Sequence, residues 1–109
     1  MLDCVVPLNY YYFNGTDLQI REHPKSDTHE YCSPVILSVS AVGSGSLFYQ
    51  WKKNGKDITR DQPDFTETDT PNLKMSSFKP KHQGSYTCTV SDGQKFVESN
   101  PAKLKLSKH

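Results

Sequence analysis

The chain has 109 residues, a length that suits one small domain with a single hydrophobic core. Its 13 basic and 12 acidic side chains leave a formal charge of +1, which excludes the strong positive field of a typical nucleic-acid-binding domain. No apolar run approaches the roughly 20 residues of a membrane-spanning helix, and the start of the chain lacks the basic and apolar regions of a secretion signal. We therefore expect a piece of a longer protein, with any targeting signal outside this sequence.

The first 16 residues are predicted to be a leader or interdomain segment, followed by one domain over residues 17–109. Four consecutive aromatic residues, Tyr10 to Phe13, cannot all face one side of a strand, so some of them pack on a neighbour or stay exposed. The cluster is either a binding surface or a cover over the open end of the domain, and we favour the cover. Asn14 begins an Asn-Gly-Thr tripeptide, which is a glycosylation sequon if the chain is secreted.

Alternating apolar residues predict the first strands in chain order. Residues 17–30 predict an edge strand broken by Pro24, as edge strands tolerate. A half-buried strand is predicted over residues 35–41, where the apolar Val35, Leu37, Val39 and Ala41 alternate with Ile36, Ser38 and Ser40. Residues 47–53 predict the next strand, and Asn54-Gly55 predicts a tight hairpin turn after it.

The second half of the chain continues this pattern. Residues 60–72 are polar and predict a loop or an edge, and residues 79–83 predict a corner that leads to Gly84. Residues 91–94 predict a second hairpin turn, and a bulge is expected near Pro101. The inward positions before the corner are predicted to be Leu73, Met75 and Phe78. The last strand is predicted to contain Phe96, Ala102, Leu104 and Leu106.

Two of these strands carry the most specific pattern. Trp51 shares one face with Tyr49 by period two, so the indole faces inward with core residues beside it. Tyr86 and Cys88 likewise share a face, and a buried tyrosine can bond backbone at the corner through its hydroxyl. A buried Trp on one strand, with a Tyr two residues before a Cys on a later strand, resembles the immunoglobulin superfamily. The run Trp-x-Lys-Asn-Gly resembles its intermediate set.

This resemblance implies an all-β fold, an immunoglobulin-like sandwich of two antiparallel sheets. In the superfamily the second strand usually carries a cysteine that pairs with the one at Cys88, and here the alternation puts Val39 at that place. Cys32 lies seven residues earlier, which is about 23 Å along a strand and too far for a bridge. We therefore expect a reduced, buried Cys88 and a core without the ~4 kcal/mol that a bridge closing such a loop would add. The predicted core residues are Trp51, Tyr86, Cys88, Val39 and Leu73.

The missing bridge also bears on the compartment. Disulfides rarely form in the reducing cytosol, and a fold without its central disulfide is compatible with that compartment. We therefore favour a cytoplasmic over an extracellular location. The alternative is an extracellular chain in which a Cys4–Cys32 disulfide ties the leader to the sandwich and Asn14 carries a glycan. The family commonly has an Asp where this chain has His82, so the ion pair usual beneath the corner is not predicted here.

Candidate chemistry is sparse. Cys88 and His82 are the residue types of a catalytic nucleophile and its base, but a thiol in the core has a raised pKa and is unreactive. Cys4, His23, His29 and Cys32 are zinc-ligand types, but their spacing is irregular and lacks a close Cys pair, so exposed histidines are expected instead. We expect no cofactor and no metal. The scattered lysines predict solvated faces rather than a nucleic-acid surface; they are Lys52, Lys53, Lys56, Lys79, Lys81, Lys103, Lys105 and Lys108.

The predicted function is therefore that of a non-catalytic module, an immunoglobulin-like protein–protein interaction domain of a larger scaffold or signalling protein. The alternative is an extracellular adhesion or receptor ectodomain, and a third class is a nucleic-acid or metal-binding protein. We expect the partner to be a protein. We expect this segment neither to bind nucleic acid nor to insert into a membrane. Residues 41–43, 49–51 and 82–88 are also similar to the immunoglobulin domains of paracaspases, which are cytosolic; the protease would then be a separate domain.

Overall fold

The computed structural model describes residues 18–43 and 45–107. Within these ranges the regular secondary structure consists of short strands and one 3-10 turn at Pro80–His82. In chain order the strands are β1 Gln19–Glu22, β2 Asp27–His29, β3 Val35–Ser38, β4 Ser40–Val42, β5 Phe48–Lys53, β6 Lys56–Asp57, β7 Phe65–Thr66, β8 Asn72–Met75, β9 Gly84–Ser91, β10 Phe96–Glu98 and β11 Ala102–Leu106.

The strands form the two layers of a sandwich. The larger sheet has the order β2-β11-β9-β5-β6, and β10 pairs with the far end of β9. The smaller layer has β3-β8-β7, and β1 pairs with β4 beside it. The predicted all-β immunoglobulin-like sandwich is confirmed.

One pair of strands departs from the purely antiparallel arrangement that the sequence predicts. Residues 17–30 were expected to form an edge strand broken by Pro24, and the described part of this range forms β1 and β2, which belong to different sheets. The chain crosses from one layer to the other around Pro24 and keeps its direction, so β2 runs parallel to β11. Proline lacks the N–H that a continuous ladder needs, which favours a break at this point.

The predicted strand over residues 35–41 is also divided. β3 pairs with β8 up to Ser38, and β4 then pairs with β1. Between them the Val39 N–H still donates to the Pro71 carbonyl at 2.9 Å. Pro71 has no N–H to donate in return, so the ladder between β3 and β8 stops there.

The core lies between the layers and follows from period-two alternation on both sides. In β9 the side chains at 86, 88 and 90 are buried and those between them are only half-buried, as expected for a strand with one face on the core. β8 and β3 show the same alternation. The buried apolar residues are Val35, Leu37, Val39, Trp51, Ile58, Phe65, Leu73, Met75, Phe78, Tyr86, Cys88, Val90, Ala102 and Leu104.

Two turns hold neighbouring strands in register. Asn54 and Gly55 have φ values of +52° and +84°, as a two-residue hairpin turn of type I′ requires, and they join β5 to β6. Residues 92–95 join β9 to β10, with Ser91 opposite Phe96. Both predicted hairpin turns are confirmed.

Several sequence-based expectations lie outside the described residues. They are the leader over residues 1–16, the aromatic cluster Tyr10–Phe13, the sequon at Asn14 and the Cys4 partner of the alternative disulfide. In the part of the chain that the structure does describe, no helix has the length and apolar character needed to cross a membrane.

Candidate functional site

Trp51 and Cys88 lie opposite each other at the centre of the larger sheet. They are paired across β5 and β9, and both side chains are fully buried. The Trp51 indole donates from Nε1 to the Thr70 carbonyl oxygen at 2.8 Å, which satisfies the one polar atom of the buried ring. The predicted core residues Val39 and Leu73 are buried on the facing layer.

The Cys88 thiol is free and shielded from solvent. Burial raises the pKa of the thiol to about 12, because the charged thiolate would lose its hydration in the core. A catalytic cysteine needs the opposite environment, a partly exposed thiol with a lowered pKa. Cys32, the other cysteine that the structure describes, is exposed and also free.

The predicted corner is built around Tyr86. Its ring is buried and its hydroxyl donates to the His82 carbonyl oxygen at 2.5 Å. Burial raises the pKa of the Tyr86 hydroxyl above its ordinary value, so this donor stays protonated. The bond links β9 to the preceding 3-10 turn and fixes where the strand begins.

His82 occupies the place beneath the corner, and it is almost fully buried. The Lys79 N–H donates to His82 Nδ1 at 2.9 Å, so the second ring nitrogen, Nε2, carries the proton of the neutral ring. Nε2 lies 3.7 Å from Asp64 Oδ2 and has no hydrogen-bond partner within the described residues. Burial lowers the pKa of His82, while the Asp64 carboxylate acts in the opposite direction.

The corner makes an ion pair although His82 stands where the family commonly has Asp, and the charges of this pair are reversed. Lys81 Nζ lies 2.8 Å from Asp64 Oδ2, just before β7. The hydrogen bond from Lys81 lowers the pKa of the Asp64 carboxyl. The acidic partner thus comes from the loop before β7, and the basic partners come from the corner.

Of the zinc-ligand types, the structure describes His23, His29 and Cys32, and these three do not form one metal-binding cluster. His23 Nδ1 accepts the Asn100 N–H at 3.0 Å, and the His29 ring packs on Phe78 with centroids 5.6 Å apart. Both histidines line a shallow groove of about 300 Å³ that also carries Ile36. Within residues 18–43 and 45–107 no three histidine, cysteine or carboxylate side chains are placed to share a metal ion.

The outward face of the larger sheet presents two exposed phenylalanines in one row. Phe48 on β5 and Phe96 on β10 are both in register with Ser91 on the strand between them. Their exposed fractions are 60% and 72%. We call Phe48, Ser91 and Phe96 the aromatic row. The larger sheet therefore offers an apolar, solvent-facing element that the core does not use.

The rest of this face is polar. Along β9 the outward side chains are the small hydroxyls Ser85, Thr87, Thr89 and Ser91, between the buried residues of the same strand. Gln50 and Glu98 flank Thr89 in the next row, and Lys52 follows beside Thr87. The Thr87 hydroxyl donates to Glu98 Oε2 at 3.3 Å, which keeps that carboxylate over the face.

Phe96 was predicted to share the last strand with Ala102, with an interruption near Pro101, but the structure places it on the separate strand β10 with its side chain facing outward. Its position follows from register: Tyr86, Cys88 and Val90 face inward, so Ser91 faces outward, and Phe96 lies directly opposite Ser91. The hairpin turn over residues 91–94, read together with the Tyr-x-Cys pattern, carried this information in the sequence. The ladder of β9 passes from β10 to β11 between Glu98 and Ala102, and Ala102 then returns to the core.

Comparison with known proteins gives relatives of one kind. A family model described as an immunoglobulin domain matches residues 11–92. The mouse protein named HEPACAM family member 2 is 30% identical over 81 residues, which make up 74% of this chain and 18% of that protein. The chain therefore spans less than a fifth of the length of this curated relative.

Solved structures agree in fold. The N-terminal Ig1-2 module of the Drosophila receptor protein tyrosine phosphatase DLAR superposes with a TM-score of 0.77 at 19% identity, covering 84% of this chain and 46% of that one. Titin M4 superposes with a TM-score of 0.75 at 12% identity, covering 87% of this chain and 100% of that one. At these identities the likeness shows the fold alone.

Proposed function

This chain belongs to the immunoglobulin domain family, and from that premise we propose that it is a non-catalytic protein-interaction module of a longer protein. The observation that carries the proposal is the aromatic row, which places two largely exposed phenylalanines side by side on a sheet face. Aromatic side chains supply much of the binding energy in protein interfaces. The similarity to paracaspase immunoglobulin domains stays a prediction.

The candidate catalytic groups support the same proposal. Cys88 and His82 are both buried, one in the middle of β9 and the other beneath the corner. The pKa of the thiol is raised and that of the imidazole is lowered, so neither has the charge state of an activated cysteine–histidine pair. A substrate would have to open the sandwich to reach either group.

The test has one arm for binding and one for catalysis. In the binding arm, proteins captured from a native-source lysate by the immobilised chain are compared with those captured by a Phe48→Ser/Phe96→Ser variant and by a matched Tyr31→Ser control. Tyr31 is 59% exposed and lies away from the aromatic row, in the turn before β3. We expect the double variant to lose captured partners that wild type and control both retain.

In the catalytic arm, the purified chain is incubated with a peptide library. We expect no cleavage above that of buffer. Robust cleavage that disappears in a Cys88→Ala variant would overturn the proposal. Equal capture by the wild type and the double variant would show that the aromatic row does not bind a partner, and the proposal would lose the observation that supports it.

A second candidate function is that of a module in an extracellular adhesion or receptor protein. The sequon at Asn14 favours it. The buried free thiol of Cys88, where the family usually has its central disulfide, favours a reducing compartment instead. In protein from its native source, added glycan mass on Asn14 with a Cys4–Cys32 disulfide would support the extracellular role, and an unmodified Asn14 with both cysteines alkylatable would oppose it.

A further inference from the structure

We propose that the corner before β9 is an acid-sensitive element of the fold: protonation of His82 breaks its hydrogen bond with the Lys79 N–H and opens the 3-10 turn at Pro80–His82 while the sandwich stays folded. The proposal goes beyond the proposed function, because it concerns a change in the domain itself rather than its partner. It rests on the hydrogen bonds of the His82 ring, on the burial of that ring and on the position of one nearby carboxylate.

The hydrogen bond of the His82 ring determines where a second proton binds. Nδ1 accepts the Lys79 N–H at 2.9 Å, so Nε2 already carries the proton of the neutral ring. Protonation therefore takes place at Nδ1, and the new N–H points at the Lys79 N–H. Two donors cannot share a hydrogen bond, so the protonated ring loses this partner. Burial lowers the pKa of His82, which keeps the ring neutral and the bond intact until the solution becomes acidic.

The protonated ring cannot remain where the neutral ring lies. The ring is almost fully buried against Phe65 and Phe78, at centroid distances of 5.6 Å and 6.1 Å, and neither offers an oxygen or nitrogen acceptor. On the Nε2 side, Asp64 Oδ2 lies 3.7 Å away, beyond hydrogen-bond distance. A movement of the ring by about 1 Å towards Asp64 makes this bond and withdraws Nδ1 from Lys79. Because the Asp64 side chain is 36% exposed, the movement also takes the positive charge towards water.

The charged groups around the ring also oppose its protonation in the closed corner. Asp64 favours the protonated ring, but Lys81 Nζ already pairs with the same Oδ2 atom at 2.8 Å. Lys81 and Lys53 disfavour a further positive charge, and Lys53 Nζ is held at the corner by the Lys81 carbonyl oxygen at 2.6 Å. The titratable groups that face His82 or the rings packed on it are Asp64 before β7, Lys53 in β5, Lys79 and Lys81 in the corner, Tyr86 in β9 and His29 in β2.

Opening the corner affects the start of β9 and the end of β11. The His82 N–H donates to the Lys79 carbonyl oxygen at 2.8 Å, and this bond closes the 3-10 turn. The Tyr86 hydroxyl donates to the His82 carbonyl oxygen at 2.5 Å, so a shift of His82 also acts on β9. Gln83 Oε1 accepts the Leu106 N–H at 2.8 Å, which joins the corner to β11. Acid therefore loosens the end of the domain at which β11 ends.

The centre of the sandwich is not part of this change. Trp51 and Cys88 are fully buried and lie in the middle of the ladder between β5 and β9. The aromatic row lies at the opposite end of β9, because this strand begins at the corner and ends at Ser91. Local opening costs less free energy than unfolding of the whole domain. We therefore expect the corner to open at a pH at which the core is still intact.

Amide hydrogen exchange of the 109-residue chain, measured residue by residue by NMR between about pH 7.5 and pH 4.5, tests the proposal. The ring nitrogen resonances of His82 report its protonation in the same samples. We expect the protection factors of the Lys79 and His82 amides to fall at least about tenfold as Nδ1 takes up its proton. The Cys88 amide, which donates to Ser99 Oγ at 2.9 Å in the core, should keep its protection because the sandwich stays folded.

Substitutions separate the proton of His82 from other titrations. In His82→Asn the amide oxygen takes the place of Nδ1 and accepts the Lys79 N–H without titrating, so the protection should no longer depend on pH. His29→Asn is the matched control, because His29 also packs on Phe78, and it should respond as the wild type does. Asp64→Asn should move the opening to lower pH, since it removes the carboxylate that stabilises the protonated ring.

The wild type alone can overturn the proposal. It would do so if the His82 ring stayed neutral over the whole range, or if the Lys79 amide kept its protection after the ring was protonated. A Lys79 amide that loses protection only together with the Cys88 amide would indicate global unfolding and would also contradict the proposal. So would a loss that persists in His82→Asn or disappears in His29→Asn. Should His82→Asn fail to fold, the wild-type comparisons decide, and none of these outcomes bears on the aromatic row.

Discussion

Trp51 is the largest side chain of the core, and folding removes all of it from water. Trp51→Ala would leave a cavity at the centre of the larger sheet and break the hydrogen bond to Thr70. We expect a loss of ~3 to 5 kcal/mol in the free energy of unfolding, enough to unfold a small domain that has no central disulfide. Cys88→Ala removes one small group beside it and should cost about 1 kcal/mol.

Urea denaturation of both variants, followed by circular dichroism, measures these losses. Each variant should be compared with the wild type in the presence and in the absence of a reductant. A Cys88→Ala variant as damaged as Trp51→Ala under oxidising conditions, but nearly normal under reducing ones, would show that Cys88 is paired after all.

His82 makes the stability of the domain depend on pH. Burial lowers the pKa of His82 in the folded state. The Asp64 carboxylate opposes this shift because it stabilises the protonated ring, whereas the positive charges of Lys81 and Lys53 add to it. The unfolded chain, with the ordinary histidine pKa of about 6.5, therefore binds the proton more readily. The contribution of His82 to the free energy of unfolding is therefore fully present above this pH, and it is lost as the pH decreases towards the folded-state pKa.

Thermal unfolding between pH 7.5 and pH 5 should show this fall in the wild type and a flatter profile in His82→Gln. Asp64→Asn should make the fall steeper, since it removes the carboxylate that favours the protonated ring. Identical slopes for wild type and His82→Gln would mean that another group titrates in this range.

The hairpin between β5 and β6 depends on two residues with positive φ. Gly55 has φ +84°, and a Cβ added there would meet no atom within 4 Å. Gly55→Ala therefore costs only the backbone strain of an L-residue in the left-handed region, about 1 kcal/mol. Lys56→Ala is the control, because Lys56 is an exposed neighbour in β6. Chemical denaturation should separate the two variants, and an unchanged midpoint for Gly55→Ala would mean that the turn adopts another type.

Elements set by local sequence were predictable. The alternation in β9, the Asn54-Gly55 turn and the corner before Gly84 each depend on a few adjacent residues, and the structure contains all three. The division of the strand at Val39 could not be predicted from local sequence, because it depends on the missing N–H of Pro71, a residue distant in sequence. The parallel pairing of β2 likewise depends on which layer the chain enters after Pro24.

The candidate site was predicted only in part. A local sequence pattern identified Trp51, Tyr86 and Cys88. The residues that surround them could not be predicted from that pattern. Asp64 reaches His82 from a loop that the sequence describes only as polar, so the reversed ion pair could not be read from the corner itself. Phe96 was predicted as part of the last strand, and the direction of its side chain depends on the register with Ser91.

At the scale of the domain, two layers of alternating strands enclose one core, and within residues 18–43 and 45–107 no disulfide joins the two layers. The buried apolar residues surround Trp51, Tyr86 and a free Cys88 thiol. The layers are therefore held by packing and hydrogen bonds, and the outward face of the larger sheet is available for a partner.

The state of the Cys88 thiol tests this account most directly. Protein from its native source would be alkylated without reductant, first folded and then in denaturant, and each cysteine peptide would be weighed. We expect Cys88 to resist alkylation in the folded protein and to react fully once the chain is unfolded, with no reductant added. A Cys88 that reacts in denaturant only after reduction would be disulfide-bonded, and the account of a core closed by packing alone would be wrong.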